Sequence, residues 1–445
     1  MTSSDGTTTR KMRGEVGDGR AAIAVQVPDD LLAPDATGDP YTVFASLRTH
    51  APVHWSEAHS AWLVTRYADV TAAFQNKALS SDRVRPLLAA RQRRGETGPP
   101  TAAERVLAVM ANWMVVSDPP THSRLRRLAA GAFKAQRIST LDEQVGELVD
   151  GMLDEMLDGW PTDGRTARDL VEHIAYPLPA IVIASLLGVP VEQRDRFREW
   201  SDELALVAFG AGGAARAERH ERALHSLQEM DAYFRALIAE RREARRSGRP
   251  ASDMLTAMMA QDDGDQDRLN DDELVGMCSL LLFAGHETTT NSIANGFLAL
   301  LDNPDQLARL RADPALIGPG VEELLRFDGP IKVLNRWVLA ETEIGGTRLS
   351  PGERVHLVVA SANHDPERFT DPEVLDLQRS PNAHMAFGKG IHACIGAQLA
   401  RTETRIALSR IVDRLDGVAP AGPVEWKPSL ASRSMTGLPL VREAR

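Results

Sequence analysis

The stretch FGKGIHACIG, residues 387–396, is the segment on which the prediction of the fold depends. It contains Cys394, one of only two cysteines in the 445-residue chain. Three glycines surround the thiol, and glycine permits tight turns and the close approach of a flat, bulky ligand. A helix predicted from near Cys394 to about Leu415 would direct its N-terminal N–H groups and positive dipole end at the sulfur. Both features favour a thiolate.

The lone thiol has more than one explanation. A free cysteine commonly packs as a small, inert hydrophobic residue. With His392 two positions earlier as a base, Cys394 could instead be the nucleophile of a hydrolase. A single thiolate without a C-x-x-C partner suits an axial metal ligand better than a zinc site or a redox pair. The residues alone leave these three interpretations open.

Composition narrows the class of protein. The net charge of −11 disfavours non-specific nucleic-acid binding as the main function. Two cysteines cannot form a disulfide scaffold, which predicts a reducing, cytoplasmic setting. Residues 1–20 lack the apolar core of a signal peptide, and the longest apolar runs are too short to span a membrane. We expect a disordered lead over residues 1–24 and a single domain over 25–445.

The hydrophobic pattern predicts a mainly α fold with a minor β part. The segments on which this depends are AWLVTRY (61–67) as a strand with VHW (53–55) as its partner, a loop over 86–106, helices over most of 120–300 including VGELVDGMLDEML (145–157), a connection at FGAGGAARA (209–217), and the strand-like pieces TEIGGTRL and RVHLVVASAN within 329–375.

A long helix is predicted over 271–301. Asn270 and Glu273 have the spacing of a capping box, in which each side chain accepts the other residue's backbone N–H. The segment LLFAGHETTTN, 281–291, falls in the middle of this helix, where an acid and an alcohol interrupt an apolar sequence.

Glu287 and Thr288 are that acid and alcohol. Either they lie on a solvated face, or they are buried beside a ligand for which the small Ala284, one turn earlier, leaves space. A buried threonine can donate to a carbonyl one turn earlier, and a carboxylate can relay protons. The sequence HETTT is not the zinc motif H-E-x-x-H, because a threonine occupies the second histidine position.

Two further pairs are weak signals by themselves. Glu323 and Arg326 have the i, i+3 spacing of a modest surface ion pair. In DPPTHSRLRRL, 118–128, the acid and the prolines predict a helix start that places His122 and Arg126 on one face. That face is either a solvated basic surface or a clamp for an anionic group such as a carboxylate.

Taken together, these motifs resemble those of a bacterial cytochrome P450, from about residue 40 to the C-terminus. FGKGIHACIG is similar to the family's haem loop, Phe-x-x-Gly-x-x-x-Cys-x-Gly, at Phe387, Gly390, Cys394 and Gly396. AGHETT is similar to the central-helix motif Ala/Gly-Gly-x-Asp/Glu-Thr.

The Glu-x-x-Arg pair of the same family is matched by Glu323 and Arg326, with Arg379 in the place of its third, structural member. The resemblance implies a cytochrome P450 fold with a long central helix over a haem b cofactor. Cys394 would be the thiolate axial ligand and the only protein metal ligand, a ligand type that favours O–O cleavage. The cofactor-binding residues implied by the resemblance are His122, Arg126, Ala284, Arg336, Phe387, Gly388, His392, Cys394 and Gly396.

The implied function is that of a haem-thiolate monooxygenase. Thr288 would hold and protonate dioxygen, and Glu287 would help to deliver protons. One oxygen atom would enter a small organic substrate, most simply as a hydroxyl group, and the other would leave as water. A haem-thiolate sensor without oxygenase activity is a competing interpretation, which the intact acid–alcohol pair disfavours.

The resemblance also implies the partners. Electrons would come from a ferredoxin and its reductase as separate chains, and neither nucleic acid nor membrane would be bound. A docking patch for an acidic ferredoxin could form on the cysteine side of the haem, although charged residues are more often simply solvated. The residues proposed for this patch are Arg124, Arg127, Lys389 and Arg401.

Family analogy gives a list of substrate-pocket residues, which comprises Trp113, Met114, Phe209, Leu281, Ala284, Val333, Leu334 and Met435. An arginine-rich loop over 83–94 could favour an anionic substrate or could simply be solvated. Natural-product tailoring and oxidation of a hydrophobic xenobiotic both stay open, as do hydroxylation and coupling chemistry.

Overall fold

A computed structural model of the protein describes residues 28–443 except 83, 87–94, 96–97, 134–140, 209–215, 250 and 261–267. The predicted disordered lead, Phe209, most of the arginine-rich loop and most of the connection at 209–217 therefore lie outside the described residues. The described α-helices are α1 (Pro34–Gly38), α2 (Pro40–His50), α3 (Tyr67–Gln75), α4 (Ala102–Met110), α5 (Thr121–Ala130), α6 (Leu141–Leu157), α7 (Pro177–Leu187), α8 (Arg194–Ala208), α9 (Arg216–Arg246), α10 (Met254–Met259), α11 (Asp271–Asp302), α12 (Pro304–Ala312), α13 (Ile317–Asp328), α14 (Val359–Ala362) and α15 (Ala397–Arg414).

The strands are short and form three sheets. They are β1 (Val53–Ser56), β2 (Ala61–Val64), β3 (Leu79–Ser80), β4 (Arg168–Asp169), β5 (Leu334–Val338), β6 (Thr342–Ile344), β7 (Thr347–Leu349), β8 (Arg354–Leu357), β9 (Val418–Pro420) and β10 (Pro439–Arg442). The largest sheet has the order β1-β2-β8-β5-β3, with β2 and β8 parallel and the other neighbours antiparallel. The remaining sheets are β4-β10-β9 and the hairpin β6-β7. The prediction of a mainly α fold with a minor β part is confirmed.

The central helix α11 is the longest element described and begins where the sequence predicts. The Asn270 side chain accepts the N–H of Glu273 at 2.9 Å, and the Glu273 carboxylate accepts the N–H of Asn270 at 3.0 Å. Most of its residues are buried, so it lacks the single apolar stripe of a surface helix. None of the helices in the described parts of the chain is both long and apolar enough to cross a lipid bilayer.

Two hydrophobic clusters lie along α11, the first around its N-terminal half and the second around its C-terminal half. The first includes Trp113, Phe234 and Leu281, and the second includes Leu153, Phe297 and Leu408. Glycines in α11 allow close packing against its neighbours. A Cβ atom at Gly285 would lie 3.2 Å from Ile183 Cγ1, tighter than ordinary van der Waals contact. Helix α7 therefore approaches the middle of α11 closely, and this packing accounts for the glycine.

Two predictions of strands from short stretches of sequence are confirmed. Strands β1 and β2 pair as expected, and TEIGGTRL forms the hairpin β6-β7. The strand predicted across RVHLVVASAN stops at Leu357, and the chain then turns into α14. The loop prediction over 86–106 is wrong from residue 102, because Thr101 and Glu104 form a second capping box that starts α4.

A buried ion network ties α13 to the segment that leads into residues 387–396. The Glu323 carboxylate accepts from Arg326 Nε at 2.8 Å and from Arg379 Nε at 3.0 Å, and the Glu323 and Arg326 side chains are fully buried. Asn382 adds a hydrogen bond of 3.1 Å to the same carboxylate. Arg326 also donates to the carbonyl oxygens of Asn363 and of two further residues in that segment. Spacing alone suggests a modest surface pair, whereas the resemblance implies a structural triad with Arg379, and the structure shows both arginine side chains bonded to the Glu323 carboxylate.

Replacing Glu323 with alanine is expected to lower the free energy of unfolding by about 3–5 kcal/mol, because two buried guanidinium groups lose their carboxylate. Urea unfolding followed by far-ultraviolet circular dichroism measures this change. Asp231→Ala is the matched control, since it breaks an exposed Asp–Arg pair with Arg235 and should cost about 1 kcal/mol or less. Equal losses in the two variants would contradict the assignment of Glu323 as a buried tie.

Candidate active site

The segment 387–396, which we call the cysteine loop, closes on itself through backbone contacts. The N–H of Cys394 donates to the carbonyl of Phe387 at 2.9 Å. Gly388 and Gly390 have φ values of 65° and 71°, in the left-handed region that glycine occupies without strain. A Cβ atom at Gly390 would also lie 3.2 Å from the carbonyl oxygen of Phe74. These contacts explain why the loop needs glycine on the N-terminal side of its cysteine.

Protein surrounds the thiol of Cys394 on most sides. The residue has solvent-accessible surface, yet enough protein surrounds the sulfur for burial to raise its pKa. The backbone N–H of Gly396 and the guanidinium groups of Arg126 and Arg401 act in the opposite direction and lower the pKa. Burial outweighs them, so the loop and dipole features noted in the sequence do not by themselves give a thiolate. A metal ion bound to the sulfur would supply the missing stabilisation of the anion.

The middle of α11 contains one exposed position among mostly buried residues. Ala284 is exposed although the residues on either side of this stretch are mostly buried. Thr288 Oγ1 donates to the carbonyl of Ala284 at 2.8 Å, the bond one turn back that the sequence predicts. Ile395, which follows Cys394, packs against the hydrophobic cluster that contains Phe283, which precedes Ala284. The cysteine loop and this turn of α11 therefore border one hydrophobic cluster.

Glu287 is a buried carboxyl group with an incomplete set of partners. Its Oε1 accepts from Ser434 Oγ at 3.3 Å, whereas its Oε2 is buried without a hydrogen bond. Burial raises the pKa of Glu287 to about 7, against the lowering effects of Lys427 and of the Ser434 hydrogen bond; Asp202 raises it further. A carboxyl group with a pKa near neutrality can both give and take a proton at physiological pH.

Two histidines meet beside the cysteine loop. The ring centroids of His122, on α5, and His392 lie 4.0 Å apart. Both ring nitrogens of His122 and Nε2 of His392 are buried and have no hydrogen-bond partner. Burial is the main cause that lowers both pKa values, to about 3 for His392, and the positive charge of Arg126 adds to it. The pair is therefore neutral, with N–H groups that lack an acceptor.

Two arginines lie close to these histidines. Arg336, on β5, is buried, and its only hydrogen bond within the described residues is an NH1 contact of 2.8 Å to the adjacent carbonyl of Asn335. Burial lowers the pKa of Arg336 to about 10. Arg126 makes no hydrogen bond or ion pair to any described residue. Buried donors that lack acceptors are rare in folded proteins, so this cluster fits a cofactor that carries carboxylate groups.

Two arginines of the predicted docking patch are paired with carboxylates. Arg124 forms an ion pair with Glu273, and Arg401 forms one with Glu322 at 2.6 Å. Lys389 donates to the Tyr67 hydroxyl at 2.7 Å. Arg401 also lies over the ring of Phe387, with its Cζ 4.4 Å from the ring centroid. These side chains help to hold the cysteine loop, which limits the positive charge that they present to a partner.

The predicted substrate-pocket residues separate into groups. Trp113, Met114 and Leu281 lie in one buried cluster, where Trp113 stacks on Phe283 at 5.4 Å. Leu334 reaches the cysteine loop, with its Cδ1 atom 3.7 Å from a Cβ atom built at Gly388. Val333 packs in a cluster around α2. Met435 packs in the second hydrophobic cluster of α11, which contains Phe297. The first group and Leu334 are therefore the candidates closest to the elements that carry Ala284 and Cys394.

Sequence reasoning missed Ser434, the hydrogen-bond partner of Glu287, and Lys427, the exposed cation that lowers its pKa. The 147 positions between Glu287 and Ser434 contain no periodic signal that could link them. It also missed His286, which contacts Ser201 Oγ through Nδ1 at 2.9 Å. That contact ties α11 to α8.

Comparisons with known proteins match most of the length of the chain. The family model described as Cytochrome P450 matches residues 80–318 and 319–429. The chain is 39% identical over 416 residues to "Cytochrome P450 monooxygenase PikC" of Streptomyces venezuelae, an alignment covering 92% of each protein. It is 37% identical over 422 residues to "Vitamin D(3) 25-hydroxylase" of Pseudonocardia autotrophica, covering 94% of this chain and 97% of the relative.

Solved structures show the same fold. The structure of CalO2 superposes with a TM-score of 0.81 and 29% identity, covering 94% of this chain and 99% of that one. The structure of P450BioI in complex with an acyl carrier protein that carries hexadec-9Z-enoic acid gives a TM-score of 0.80 and 30% identity, covering 92% and 99%. The predicted fold is therefore confirmed over nearly the whole length of both structures.

Replacing Glu287 with glutamine is expected to change how stability depends on pH. The pKa of the carboxyl is raised from its ordinary value of 4.5 to about 7, so between these values the folded state keeps a proton that the unfolded state has lost. The wild-type protein should lose about 3 kcal/mol relative to the variant between pH 4.5 and 7, with no further loss above pH 7. Urea unfolding across this range measures the difference, and a constant difference would show that Glu287 titrates normally.

Proposed function

The chain belongs to the cytochrome P450 family and is a haem-thiolate monooxygenase, and from this membership we propose the roles of its site residues. Cys394 would hold the haem iron through its thiolate, and the cysteine loop would contribute Phe387, Gly388 and Gly396 to the haem site. Ala284 supplies space on the opposite side. The observation that carries this proposal is the cluster of buried donors without acceptors beside Cys394. Family membership replaces the interpretation of Cys394 as a hydrolase nucleophile.

Haem ligated by thiolate supplies reductive activation of dioxygen, and the thiolate promotes O–O cleavage. The chain's own contribution begins with the carboxylates of the cofactor. His122, Arg126, Arg336 and His392 are the proposed propionate partners. Arginine can offer a bidentate contact to a carboxylate, and a neutral histidine can offer one N–H. Two groups for each propionate would satisfy the buried donors that the protein alone leaves without acceptors.

Glu287 and Thr288 are the proposed proton-handling pair. The Thr288 hydroxyl is held by the Ala284 carbonyl at 2.8 Å, which fixes its position at the exposed turn of α11. Glu287 is buried one residue earlier and has a pKa of about 7, so it can release a proton and take up another during turnover. Thr288 passes protons to the oxygen that leaves as water, and Glu287 restores them.

The proposed substrate is a small, largely apolar organic molecule. The described wall near α11 is apolar and aromatic, with Trp113 stacked on Phe283. Relatives are named for reactions on complex small molecules, including vitamin D(3) 25-hydroxylation and N-oxygenation of nocardicin C. We place this chain with the hydroxylases and include natural-product tailoring among its settings. Leu334, which reaches the cysteine loop, completes the proposed pocket.

The electron donor that we propose is a ferredoxin reduced by a separate reductase, in the cytoplasm. Family members use redox partners in general, and the cysteine side of the haem site is the shortest path to the thiolate. The ion pairs of Arg124 and Arg401 reduce the local positive charge. We therefore expect the ferredoxin to dock mainly through shape complementarity and a few polar contacts. Its affinity should depend only moderately on salt concentration.

Replacing Cys394 with alanine is expected to abolish the strongly red-shifted Soret band of the reduced, carbon monoxide-treated protein. The physical reason is that this shift requires a thiolate on the iron. The absorption spectrum of the purified protein is the measurement. Cys278→Ala is the control, because Cys278 is buried in α11 and should leave the band unchanged. A thiolate spectrum in Cys394→Ala would show that another group is the ligand.

Replacing Thr288 with alanine is expected to divert electrons from product to hydrogen peroxide, because the leaving oxygen loses its proton donor. Product formation should fall by about 100-fold, the lower end of the range for positioned proton transfer. Peroxide released per NADPH consumed, with a substrate found by its spin-state shift and a surrogate ferredoxin system, measures the change.

Thr290→Ala is the matched control for this experiment. Thr290 makes the same bond one turn back, to the His286 carbonyl at 3.1 Å, but is buried. The control should keep the wild-type ratio of product to peroxide. A Thr288→Ala variant with unchanged coupling would remove the proton-transfer role of Thr288.

A further inference from the structure

Three buried serine hydroxyls extend in a line from Glu287. Ser434 Oγ lies 3.3 Å from Glu287 Oε1, Ser432 Oγ lies 3.1 Å from Ser434 Oγ, and Ser429 Oγ lies 2.8 Å from Ser432 Oγ. Ser432 and Ser434 are each 2% exposed, and Ser429 is 7% exposed. All three belong to the segment between β9 and β10, which we call the serine segment (residues 429–434). The family motifs do not include these residues.

The hydrogen-bond pattern allows the whole line to reverse its direction. Each hydroxyl has one proton to donate and can accept from its neighbours. When Glu287 is ionised, Ser434 donates to it, Ser432 donates to Ser434, and Ser429 donates to Ser432. When Glu287 is protonated, the same oxygens can donate in the opposite order. Asn291 Nδ2 donates to Ser434 Oγ at 2.8 Å and holds that hydroxyl in place in either state.

The far end of the line lies at the protein surface. Lys427 and Pro428, which precede Ser429, are exposed. Lys427 is nonetheless close enough to Glu287 to lower its pKa. The distance from solvent to the buried carboxyl is therefore short on this side of the protein. A chain of three hydroxyls spans the region that a proton would have to cross.

We propose that the serine segment is the route by which protons from solvent reach Glu287 during turnover. This inference rests on the proposed function, since it supplies the proton that Glu287 gives to the Thr288 side. In each transfer Ser429 takes a proton from hydronium in the solvent, which becomes water, and passes its own to Ser432, Ser432 passes one to Ser434, and Ser434 passes one to Glu287. Each serine regains a hydroxyl proton, the carboxylate becomes a carboxylic acid, and no electrons move.

The other groups around Glu287 offer less complete routes. Asp202, on α8, raises the pKa of Glu287 but is bonded to the Tyr176 hydroxyl at 2.6 Å. His286, the preceding residue on α11, contacts Ser201 and the carbonyl of Tyr176 through its two ring nitrogens. Lys427 is the charged group on the serine side. The hydrogen bonds named here for Asp202 and His286 run to Tyr176 and Ser201, whereas the bond from Ser434 reaches the Glu287 carboxyl directly.

The test compares Ser432→Val with Ser432→Thr in the haem-loaded, oxidised protein. Valine and threonine have the same shape, so the pair differs only in the hydroxyl, and the extra methyl leaves no room for a replacing water. The carbonyl stretch of protonated Glu287 is identified as the infrared band that is missing in Glu287→Gln. Rapid mixing with deuterium oxide at a pH below 7 then gives the rate at which this band shifts, which is the rate of proton exchange at Glu287.

Exchange at Glu287 should slow by about 100-fold in Ser432→Val and stay close to the wild-type rate in Ser432→Thr. During turnover, Ser432→Val should also show a larger solvent isotope effect and more peroxide than Ser432→Thr. Equal exchange rates in the two variants would overturn the serine route.

The experiment tests the serine route separately from the proposed function. A normal thiolate–haem spectrum with equal exchange rates in the two Ser432 variants would reject only the serine route. The absence of a thiolate–haem spectrum would reject the proposed haem site. If valine at 432 disturbs folding, Ser429→Val and Ser429→Thr apply the same comparison at the outer end of the line, with the same two outcomes.

Discussion

The carboxylate of Glu323 is the point on which the geometry of the cysteine loop depends. It is fully buried and holds Arg326 on its own helix and Arg379 from the segment before the loop. Arg326 uses its remaining N–H groups on the carbonyl oxygens of Asn363, Pro372 and Val374. A buried ion pair stabilises a fold only when its remaining hydrogen bonds are satisfied, and here they are satisfied by the backbone of one irregular segment. The segment is thereby fixed against α13, and the loop that follows it begins from a defined position.

The pKa values of Glu287 and Glu403 show the separate effects of burial and of neighbouring groups. Both carboxyls have an oxygen that is buried without a hydrogen bond. Burial alone raises the pKa of Glu403 far above its ordinary value, which favours the protonated, neutral form of this side chain. Glu287 experiences the same effect, but Ser434 and Lys427 pull its pKa back to about 7. The serine segment therefore affects Glu287 in two ways. It provides a line of hydrogen-bonded hydroxyls, and the bond from Ser434 helps to keep the pKa of Glu287 near 7.

Much of the fold and of the site could be predicted from the sequence, because the relevant signals are local. The capping box at Asn270 fixed the start of α11, and the glycines and cysteine of the cysteine loop lie within ten residues. The helix α4 was missed although Thr101 and Glu104 carry the same kind of local signal, which the surrounding arginine, glycine and proline residues obscured. The partners of Arg124, Arg401 and Glu287 could not be predicted. These contacts join residues 149, 79 and 147 positions apart, and only the tertiary fold brings them together.

The cofactor site also shows why haem and fold depend on each other. The two histidines beside the cysteine loop are neutral, so Arg126 and Arg336 supply the positive charge that two carboxylates need. Without an anion, the buried donors of this cluster lose hydrogen bonds to water and gain none from the protein, which opposes folding. A ligand that binds only the folded state shifts the equilibrium toward that state. The same unsatisfied donors that make the cluster unfavourable in the protein alone therefore make haem binding a source of stability for the elements around it, α5, β5 and the cysteine loop.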